Sequence, residues 1–439
     1  MDKRKTLRTA VELGKDVLIV LLACSALWML FSNGLMQRLD LGREDAAHVT
    51  GIQNNEAIRE EAVRPMRLTA NLQSGAEPVR YTAQHDSGAV DGLFQKTAGL
   101  LMETLSSVDQ PEKITRGEWE RALACAPGLC FDFQGEMPLS ALTGWLNVEL
   151  SVPDALVRRL VLTAWEGAAA LYYYDIQNES WYRCVTQVVG AVQLENALSG
   201  LSPNGAYYAF ESETAAGMDA DTLLVPSPAP MTVYNATNPM AGGRTALEGL
   251  MTDLGFNLSG CVFYSGAGEE VGRSGSDTLR LSKDGVVEYH ADVDGTKQFP
   301  INVPSGHSSI FAAADVCEQL LWQAVHARCG QARTYLSRVE QTSTGWRLEF
   351  EYNLNGTPLS LEGGPAASFE VNNGQITAFI LRLRSYEPGE EEQILLPPVQ
   401  AAAAMSALNL DGRELQVMYR DRGEEQVIPN WTAVSEEAR

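Results

Sequence analysis

Residues 346–356, WRLEFEYNLNG, contain the pattern that decides the fold of this chain. Every second side chain of the segment is apolar: Trp346, Leu348, Phe350 and Tyr352. The residues between them are charged: Arg347, Glu349 and Glu351. This alternation predicts an antiparallel strand with one buried and one solvated face, and Asn355-Gly356 predicts a tight turn after it.

The segments on either side of this strand combine hairpins with helices. Asp284-Gly285 predicts a hairpin, residues 308–329 predict a long helix that Gly330 ends, and Pro397-Pro398 predicts the start of a short helix. We therefore expect an α+β fold in which a helix packs on an antiparallel sheet twice. The two units are expected at 275–383 and 397–434, with the second incomplete or sharing strands with the first.

The region before residue 212 also mixes the two kinds of element. Five segments rich in apolar residues predict strands: 66–72, 79–84, 157–163, 169–176 and 181–188. Residues 92–107 predict a helix, and Thr115 with Glu118 forms a capping box that predicts the start of another. A second capping box, Thr245 with Glu248, predicts a helix in the next region.

The first forty residues predict a membrane anchor. Residues 17–37 are 21 positions without a charge, and as a helix they would span about 31 Å, close to the hydrocarbon thickness of a bilayer. Five basic residues precede them, so we expect a cytoplasmic N-terminus. A cleaved signal peptide and a lipoprotein box at 21–24 are alternatives, but Ser32-Asn33-Gly34 is a poor cleavage site and the apolar run continues past Cys24.

These patterns divide the chain into seven predicted segments. Three prolines within 226–230 predict a linker there, because proline fits neither a helix interior nor a central strand. The segments are a cytoplasmic tail (1–16), a transmembrane helix (17–37), a linker or short helix (38–65), an N-terminal extracytoplasmic α+β domain (66–211), a Pro-rich linker (212–235), a second α+β domain (236–390) and an incomplete C-terminal module (391–439).

Charge and cysteine content limit the classes of partner. The net charge is −23, which disfavours phosphate backbones and makes nucleic-acid binding unexpected. Six cysteines follow the predicted span: Cys125, Cys130, Cys184, Cys261, Cys317 and Cys329. Their pairing stays open, except that Cys317 and Cys329 would lie about 18 Å apart on one helix, too far for a disulfide.

The layout and several segments resemble the YycH/YycI family. The resemblance rests on a basic tail, a single span, an acidic outer part and PepSY-like modules of hairpin and helix, with 278–289, 348–359, 371–376 and 419–431 as the most similar segments. Proteins of this family are membrane-anchored regulators of an essential two-component system in Gram-positive bacteria. The resemblance implies regulation of a sensor histidine kinase through contacts in the membrane and outside it, possible pairing with a sister regulator, and no catalysis.

A search for catalytic and ligand-binding motifs favours the same conclusion. The sequence has no zincin motif, nucleophile elbow, Ser-x-x-Lys pair or phosphate-binding loop, so we expect no enzyme, no metal and no cofactor. His85, His290 and His307 have no partners at a diagnostic spacing. The acid pairs at 269–270, 391–392 and 424–425 are typical of solvated turns, and the aromatic residues at 172–174 and 181–182 are typical of a strand pair.

Our preferred hypothesis is therefore a single-pass regulator that binds a sensor kinase, with the bulk of the chain outside the cell membrane. Ala23, Ser25 and Ala26 are the small residues of the span and the candidate face for contact with kinase helices, because close packing drives association in lipid. Two alternatives remain: an anchored module that binds envelope material or inhibits a protease, and a hydrolase without a recognised motif.

Overall fold

The computed structural model describes residues 55–74, 77–291 and 297–434. The predicted tail 1–16, the span 17–37 and the candidate face of Ala23, Ser25 and Ala26 lie outside the described residues. None of the helices in the described ranges combines the length and the hydropathy that a bilayer crossing requires.

The described part of the chain contains eight α-helices. They are α1 (Asn55–Ala62), α2 (Ser87–Leu105), α3 (Arg116–Ala124), α4 (Leu139–Leu146), α5 (Ala191–Leu198), α6 (Arg244–Asp253), α7 (Ser309–Val325) and α8 (Pro398–Ala407). The capping box of α3 is confirmed, since the Thr115 hydroxyl accepts from the Glu118 amide and the Glu118 carboxylate accepts from the Thr115 amide. The second capping box is wrong. The N-cap of α6 is Gly243, with a φ of 58°, and the helix begins at Arg244, so Thr245 lies inside the first turn.

The first large sheet is antiparallel and belongs to the N-terminal half. Its strands are β1 (Arg67–Ser74), β2 (Glu77–Ala83), β3 (Glu112–Ile114), β4 (Gly128–Pro138), β5 (Leu156–Trp165), β6 (Ala168–Asp175) and β7 (Ser180–Thr186). Their order across the sheet is β2-β1-β4-β5-β6-β7-β3. The five strands that the sequence predicted are all present, with bounds that differ by one or two residues at each end.

Two small sheets follow the first one along the chain. They contain β8 (Tyr207–Tyr208) with β9 (Leu223–Leu224), and β10 (Met231–Thr237) between β20 (Ser385–Gln393) and β22 (Gln426–Val427). The last residues of the predicted linker 212–235 therefore belong to β10, the central strand of its sheet. The prolines that predicted the linker lie only in 226–230, so they do not interrupt this strand. The predicted boundary between 390 and 391 falls inside β20. The division into separate domains stays a prediction.

The second large sheet has eleven strands. In addition to β11 (Cys261–Gly266) and β12 (Glu269–Ser274) it contains β13 (Asp277–Leu281), β14 (Val286–His290), β15 (Ala332–Gln341), β16 (Gly345–Leu354), β17 (Thr357–Leu361), β18 (Ala367–Asn372), β19 (Gln375–Arg382), β21 (Glu414–Asp421) and β23 (Pro429–Val434). The hairpin at Asp284-Gly285 and the strand at 346–352 are confirmed. A parallel pairing of β17 with β21 joins the last strands to this sheet, so the second predicted unit shares the sheet of the first.

Helix α7 lies at the centre of the fold. The predicted apolar face is buried: Ile310, Ala314, Cys317, Leu321 and Ala324. This helix packs on β16 and β18 with one side and on α1 and α4 with the other. The buried side chains of α7 therefore belong to one apolar core that both large sheets share. The chain is an α+β protein with antiparallel sheets, as the alternating pattern predicted.

Candidate functional site: an ionic seam and the contact of the first helix

Five charged residues form a buried cluster between the two large sheets, which we call the ionic seam. Its members are Arg67 on β1, Asp132 on β4, Arg158 and Arg159 on β5, and Glu414 on β21. Three of them are direct cross-strand neighbours, because Asp132 stands opposite Arg67 on one side and Arg159 on the other. The register of the first sheet therefore brings two guanidinium groups to one carboxylate.

Asp132 is the centre of the seam. Its carboxylate accepts hydrogen bonds from Arg67 Nη2 at 2.5 Å, Arg159 Nε at 2.8 Å and Arg158 Nε at 3.3 Å. The side chain is only 2% exposed. Burial disfavours the charged form, but the guanidinium groups of Arg158, Arg159 and Arg67 outweigh burial and hold the pKa of Asp132 well below its usual range.

Glu414 connects the first sheet to the second. It accepts from Arg158 Nη1 at 2.6 Å and Nη2 at 3.0 Å, and from Arg159 Nη2 at 3.1 Å. Its side chain is 1% exposed, and 255 residues separate it from Arg159. A two-pronged contact with Arg158 fixes both the distance and the orientation of β21 relative to β5.

Asp221 borders the seam and supplies a third carboxylate. Its oxygens accept from Arg116 Nη2 at 2.7 Å and from the indole of Trp119 at 2.9 Å, and one lies 3.5 Å from Arg159 Nη1. Three seam guanidiniums are thus matched by three carboxylates. Burial raises the pKa of Asp221 against the opposing effect of Arg159 and Arg116.

A second charged contact, the α1 contact, fastens the first described helix to α7. Arg59 donates from Nε and Nη2 to the two oxygens of Asp315, both at 3.1 Å. The indole of Trp145 on α4 donates to the same carboxylate at 3.1 Å. Arg333 Nε lies 3.9 Å from a carboxylate oxygen of Glu61, and Ile58, which is 4% exposed, adds an apolar contact. The α1 helix is thus docked by two ion pairs and one buried side chain.

Glu318 lies one turn after Asp315 on the same face of α7. It is 8% exposed, and it makes no hydrogen bond to any residue in the described ranges. Burial, together with the neighbouring carboxylates of Glu61 and Asp315, raises the pKa of Glu318 to about 8. Burial likewise raises the pKa of Glu61, although Arg333, Arg64 and His326 oppose that shift.

The histidines that the sequence analysis considered are not brought together. His85 accepts or donates through Nδ1 to the Thr357 hydroxyl at 2.9 Å, and burial with the nearby Arg67 lowers its pKa to about 3. His307 stacks on Phe311 at 4.6 Å between ring centres, and His290 is exposed at the end of β14. Within the described residues no three ligand-type side chains form a group that could hold a metal ion.

The aromatic strands and the acid pairs have ordinary surroundings. Tyr172 and Tyr173 are buried in β6, and Tyr174 contacts Trp181 at 4.9 Å between ring centres, which confirms the interpretation as a strand pair. Arg116 covers the Trp181 ring at 5.5 Å. The acids at 391–392 and 424–425 are exposed, as expected for solvated segments. The acids at 269–270 differ from that expectation, since they are partly buried at the start of β12 and Glu270 accepts a hydrogen bond from Ser265.

The residues that hold the two halves together were missed by the sequence analysis. Arg158 and Arg159 lie in a segment predicted as a strand, but nothing in the local pattern indicates which carboxylate they meet. The described cysteines are free thiols, and Cys329 lies 3.2 Å from the Tyr352 hydroxyl. A doubled arginine inside an apolar strand is the one signal that could have marked the seam, because an arginine pair is seldom buried without carboxylates.

Comparison with known proteins identifies a relative of the fold. No family model and no curated protein sequence matches the chain. Among solved structures, the crystal structure of YycH from Bacillus subtilis superposes with a TM-score of 0.56 and 11% sequence identity, covering 87% of this chain and 95% of that one. The chain therefore has a YycH-type fold, in agreement with the resemblance noted in its sequence.

Proposed function

We propose that the chain is a membrane-anchored extracytoplasmic regulator of a two-component sensor histidine kinase, which acts by binding. The observation that carries the proposal is the YycH-type fold, which extends over 87% of the chain. The predicted span at 17–37 supports it, because a regulator of this kind would contact the kinase both in the bilayer and outside it.

The use of charge in the outer part is consistent with a binding protein. The buried arginines of the seam are engaged by carboxylates of three different strands or loops, so they fix the relative position of the two large sheets. A rigid double sheet of this kind can present the same surface to a partner in every molecule. Binding of that surface would shift the kinase between two conformations by differential affinity.

The span face is tested by adding bulk to its small residues. Ala23→Leu and Ala26→Leu should change the output of the kinase at unchanged expression, because both side chains would lie on one side of the predicted helix and close packing between helices tolerates little extra volume. Val17→Leu would add a methylene on the opposite side of the predicted helix and serves as the control. If both alanine substitutions leave the kinase output and the two-hybrid signal unchanged, that result contradicts the proposed face.

A sister regulator and the kinase itself are the partners that this proposal implies. Purification of the full chain in detergent should recover the kinase, and Ala23→Leu with Ala26→Leu should reduce that recovery. Retention of the full chain on purified cell-wall polymer, without any kinase, would favour the alternative of an envelope-binding module. A PepSY-like character of the segments 236–390 and 391–439 remains part of the same proposal.

A further inference from the structure

The α1 contact gathers three carboxylates, and two of them have a cationic partner within 4 Å in the described residues: Asp315 with Arg59, and Glu61 with Arg333. Arg59 of α1 forms an ion pair with Asp315, and the side chain of Arg59 is 39% exposed. Glu61 from the same helix and Glu318 from α7 approach this contact as well, and the negative charge of Glu61 contributes to the raised pKa of Glu318. Docking of α1 therefore brings together two acids that would be hydrated and separate in the released helix.

Glu318 is the more sensitive of the two acids. Its position one turn after Asp315 places it on the face of α7 that α1 covers, because residues three apart lie on one side of a helix. The residue as a whole is 8% exposed, and no described residue donates a hydrogen bond to its carboxyl group. An ionised carboxylate in such a place loses much of its hydration without gaining a donor, whereas a protonated one loses less.

The remaining charged groups near this contact moderate the effect but do not remove it. From the surrounding elements Arg64, Arg333 and His326 favour ionisation of Glu61, and Asp91 opposes it. Asp315 and the buried thiol of Cys317 are the ionisable neighbours of Glu318 on α7 itself. Of the other elements packed on α7, α4 has no ionisable residue, and β16 turns Leu348, Phe350 and Tyr352 toward the helix. The acids of β18 and α6 have partners of their own: Glu370 pairs with Arg347, Asp253 with Arg328 and Glu248 with Arg244.

We infer that α1 is a proton-controlled latch, which stays docked on α7 while Glu318 holds a proton and is released when that carboxyl ionises. Docking is thus coupled to the proton concentration outside the membrane. The α1 helix is the first described element after the predicted span, so its release would alter how the outer part is connected to the anchor. That last consequence rests on the proposed function, whereas the latch itself does not.

The direction of the pH dependence follows from the position of the carboxyl. The pKa of Glu318 is about 8 in the docked state and returns toward 4.5 when the helix is released. A group whose pKa is higher in the docked state favours docking fully below the lower value and loses that effect as the pH rises through the higher one. The ratio of docked to released α1 should therefore fall by up to about tenfold per pH unit across this window.

Hydrogen exchange of the α1 amides in the full-length chain in detergent micelles tests the latch. Protection of 56–62, corrected for the intrinsic exchange rate, is compared at pH 6 and pH 8.5 in the wild type, in Glu318→Gln and in the control Glu60→Gln. Glu60 is an exposed acid of the same helix, so its substitution makes the same change in net charge. Protection should fall at least tenfold in the wild type and in the control, and it should stay high in Glu318→Gln.

Two results would overturn the latch: protection of α1 that is equal at both pH values in the wild type, or protection that falls as steeply in Glu318→Gln. Protection of the β16 amides, measured in the same experiment, shows that each variant is folded. The result is independent of the kinase. Leucine substitutions in the span that leave the kinase unaffected would disprove the proposed function and leave the exchange result intact.

Discussion

The ionic seam and the α1 contact both join the two halves of the molecule, but they differ in charge balance and in burial. In the seam three guanidiniums meet three carboxylates, counting Asp221, and the exposed fraction of every one of these side chains is 11% or less. In the α1 contact the half-exposed Arg59 meets Asp315, and Arg333 lies 3.9 Å from Glu61. Glu318 lies beside them without a cationic partner in the described residues. A matched cluster makes a permanent connection, and an unmatched one makes a connection that depends on conditions.

The two contacts also respond to pH with opposite sign. The pKa of Asp132 is lower in the folded chain than its ordinary value of 3.8, so its stabilising effect is complete above that value and is lost only on further acidification. The pKa of Glu318 is raised to about 8, so its stabilising effect is complete below 4.5 and is lost as the pH rises through 8. Between pH 4.5 and pH 8 the contribution of Asp132 should therefore stay constant while that of Glu318 changes.

The largest expected effect comes from breaking the seam at its link between the sheets. Glu414→Gln removes the charge that Arg158 and Arg159 share and leaves buried guanidinium groups without a full partner. Loss of one member of a buried ion pair costs about 3–5 kcal/mol, so the free energy of unfolding should fall by that amount. Urea denaturation at pH 7 measures it.

Glu424→Gln is the matched control for the seam, since Glu424 is exposed and lies only ten residues further along the chain. Its substitution should leave the unfolding midpoint nearly unchanged. A Glu414→Gln protein as stable as this control would mean that the seam contributes no more than a surface charge pair, and the distinction between the two contacts would be lost.

The local elements were predictable from the sequence, whereas the charged contacts were not. The strand at 346–352, the hairpin at Asp284-Gly285 and the helix at 308–329 each follow from a periodicity or a turn signal within twenty residues or so. The seam depends on pairs such as Arg158 with Glu414, which are 256 residues apart, and on the register between strands. No local sequence pattern predicts these long-range pairs or the register between the strands.

The contacts that dock α1 could not be predicted from its local sequence either. Its segment is polar and was predicted as a linker or short helix before Pro65, and eight of its residues form a helix. The side chains that dock it, Arg59 and Ile58, meet partners on α7 and α4 that lie more than eighty residues away in the sequence. The sequence shows that Arg59 is available for pairing, but only the folded chain shows that it meets Asp315.

Glu351 is the next test of the comparison, because it is another buried acid with an unmatched oxygen. Its Oε2 is buried without a hydrogen-bond partner in the described residues, and burial with the nearby Glu349 raises its pKa to about 8. Stability from this group should be present at low pH and lost toward pH 8. The free energy of unfolding of the wild type should therefore fall between about pH 6.5 and pH 8. In Glu351→Gln this fall should be smaller by about 1.5 kcal/mol.

The window for that measurement is set by His85. Its pKa is lowered to about 3, so it opposes the effect of the buried acids below its ordinary value of 6.5 but not above it. Urea denaturation at pH 6.5 and at pH 8 measures the effect of the acids, and Glu424→Gln, which changes an exposed acid, is the control. Equal pH dependence in the wild type and in Glu351→Gln would show that Glu351 is not protonated in the folded chain.

A smaller effect is expected at the turn Asn355-Gly356, where the halves touch at the surface. The side chain of Asn355 accepts from the Ser87 amide at 2.9 Å and donates to the His85 carbonyl at 3.2 Å, and its own φ is 51°. Asn355→Ala should cost about 1 kcal/mol, since alanine loses these bonds and tolerates a positive φ poorly. Asn355→Gly, which keeps the turn, should cost less by urea denaturation. If both substitutions lower the free energy of unfolding by the same amount, the whole effect comes from the lost hydrogen bonds and none from the positive φ.

The smallest effect is expected where the same residue types as in the seam meet in solvent. Arg347 pairs with Glu340 and Glu370, both at 3.3 Å, on the outer face of the second sheet, with all three side chains 42–50% exposed. Water already hydrates these groups, and exposed pairs contribute only about 0–1 kcal/mol, so Arg347→Gln should change the unfolding free energy by less than about 0.5 kcal/mol. Arg347 holds two carboxylates, as Arg158 does, and therefore a large loss here would mean that the number of pairs, and not their burial, gives the seam its strength.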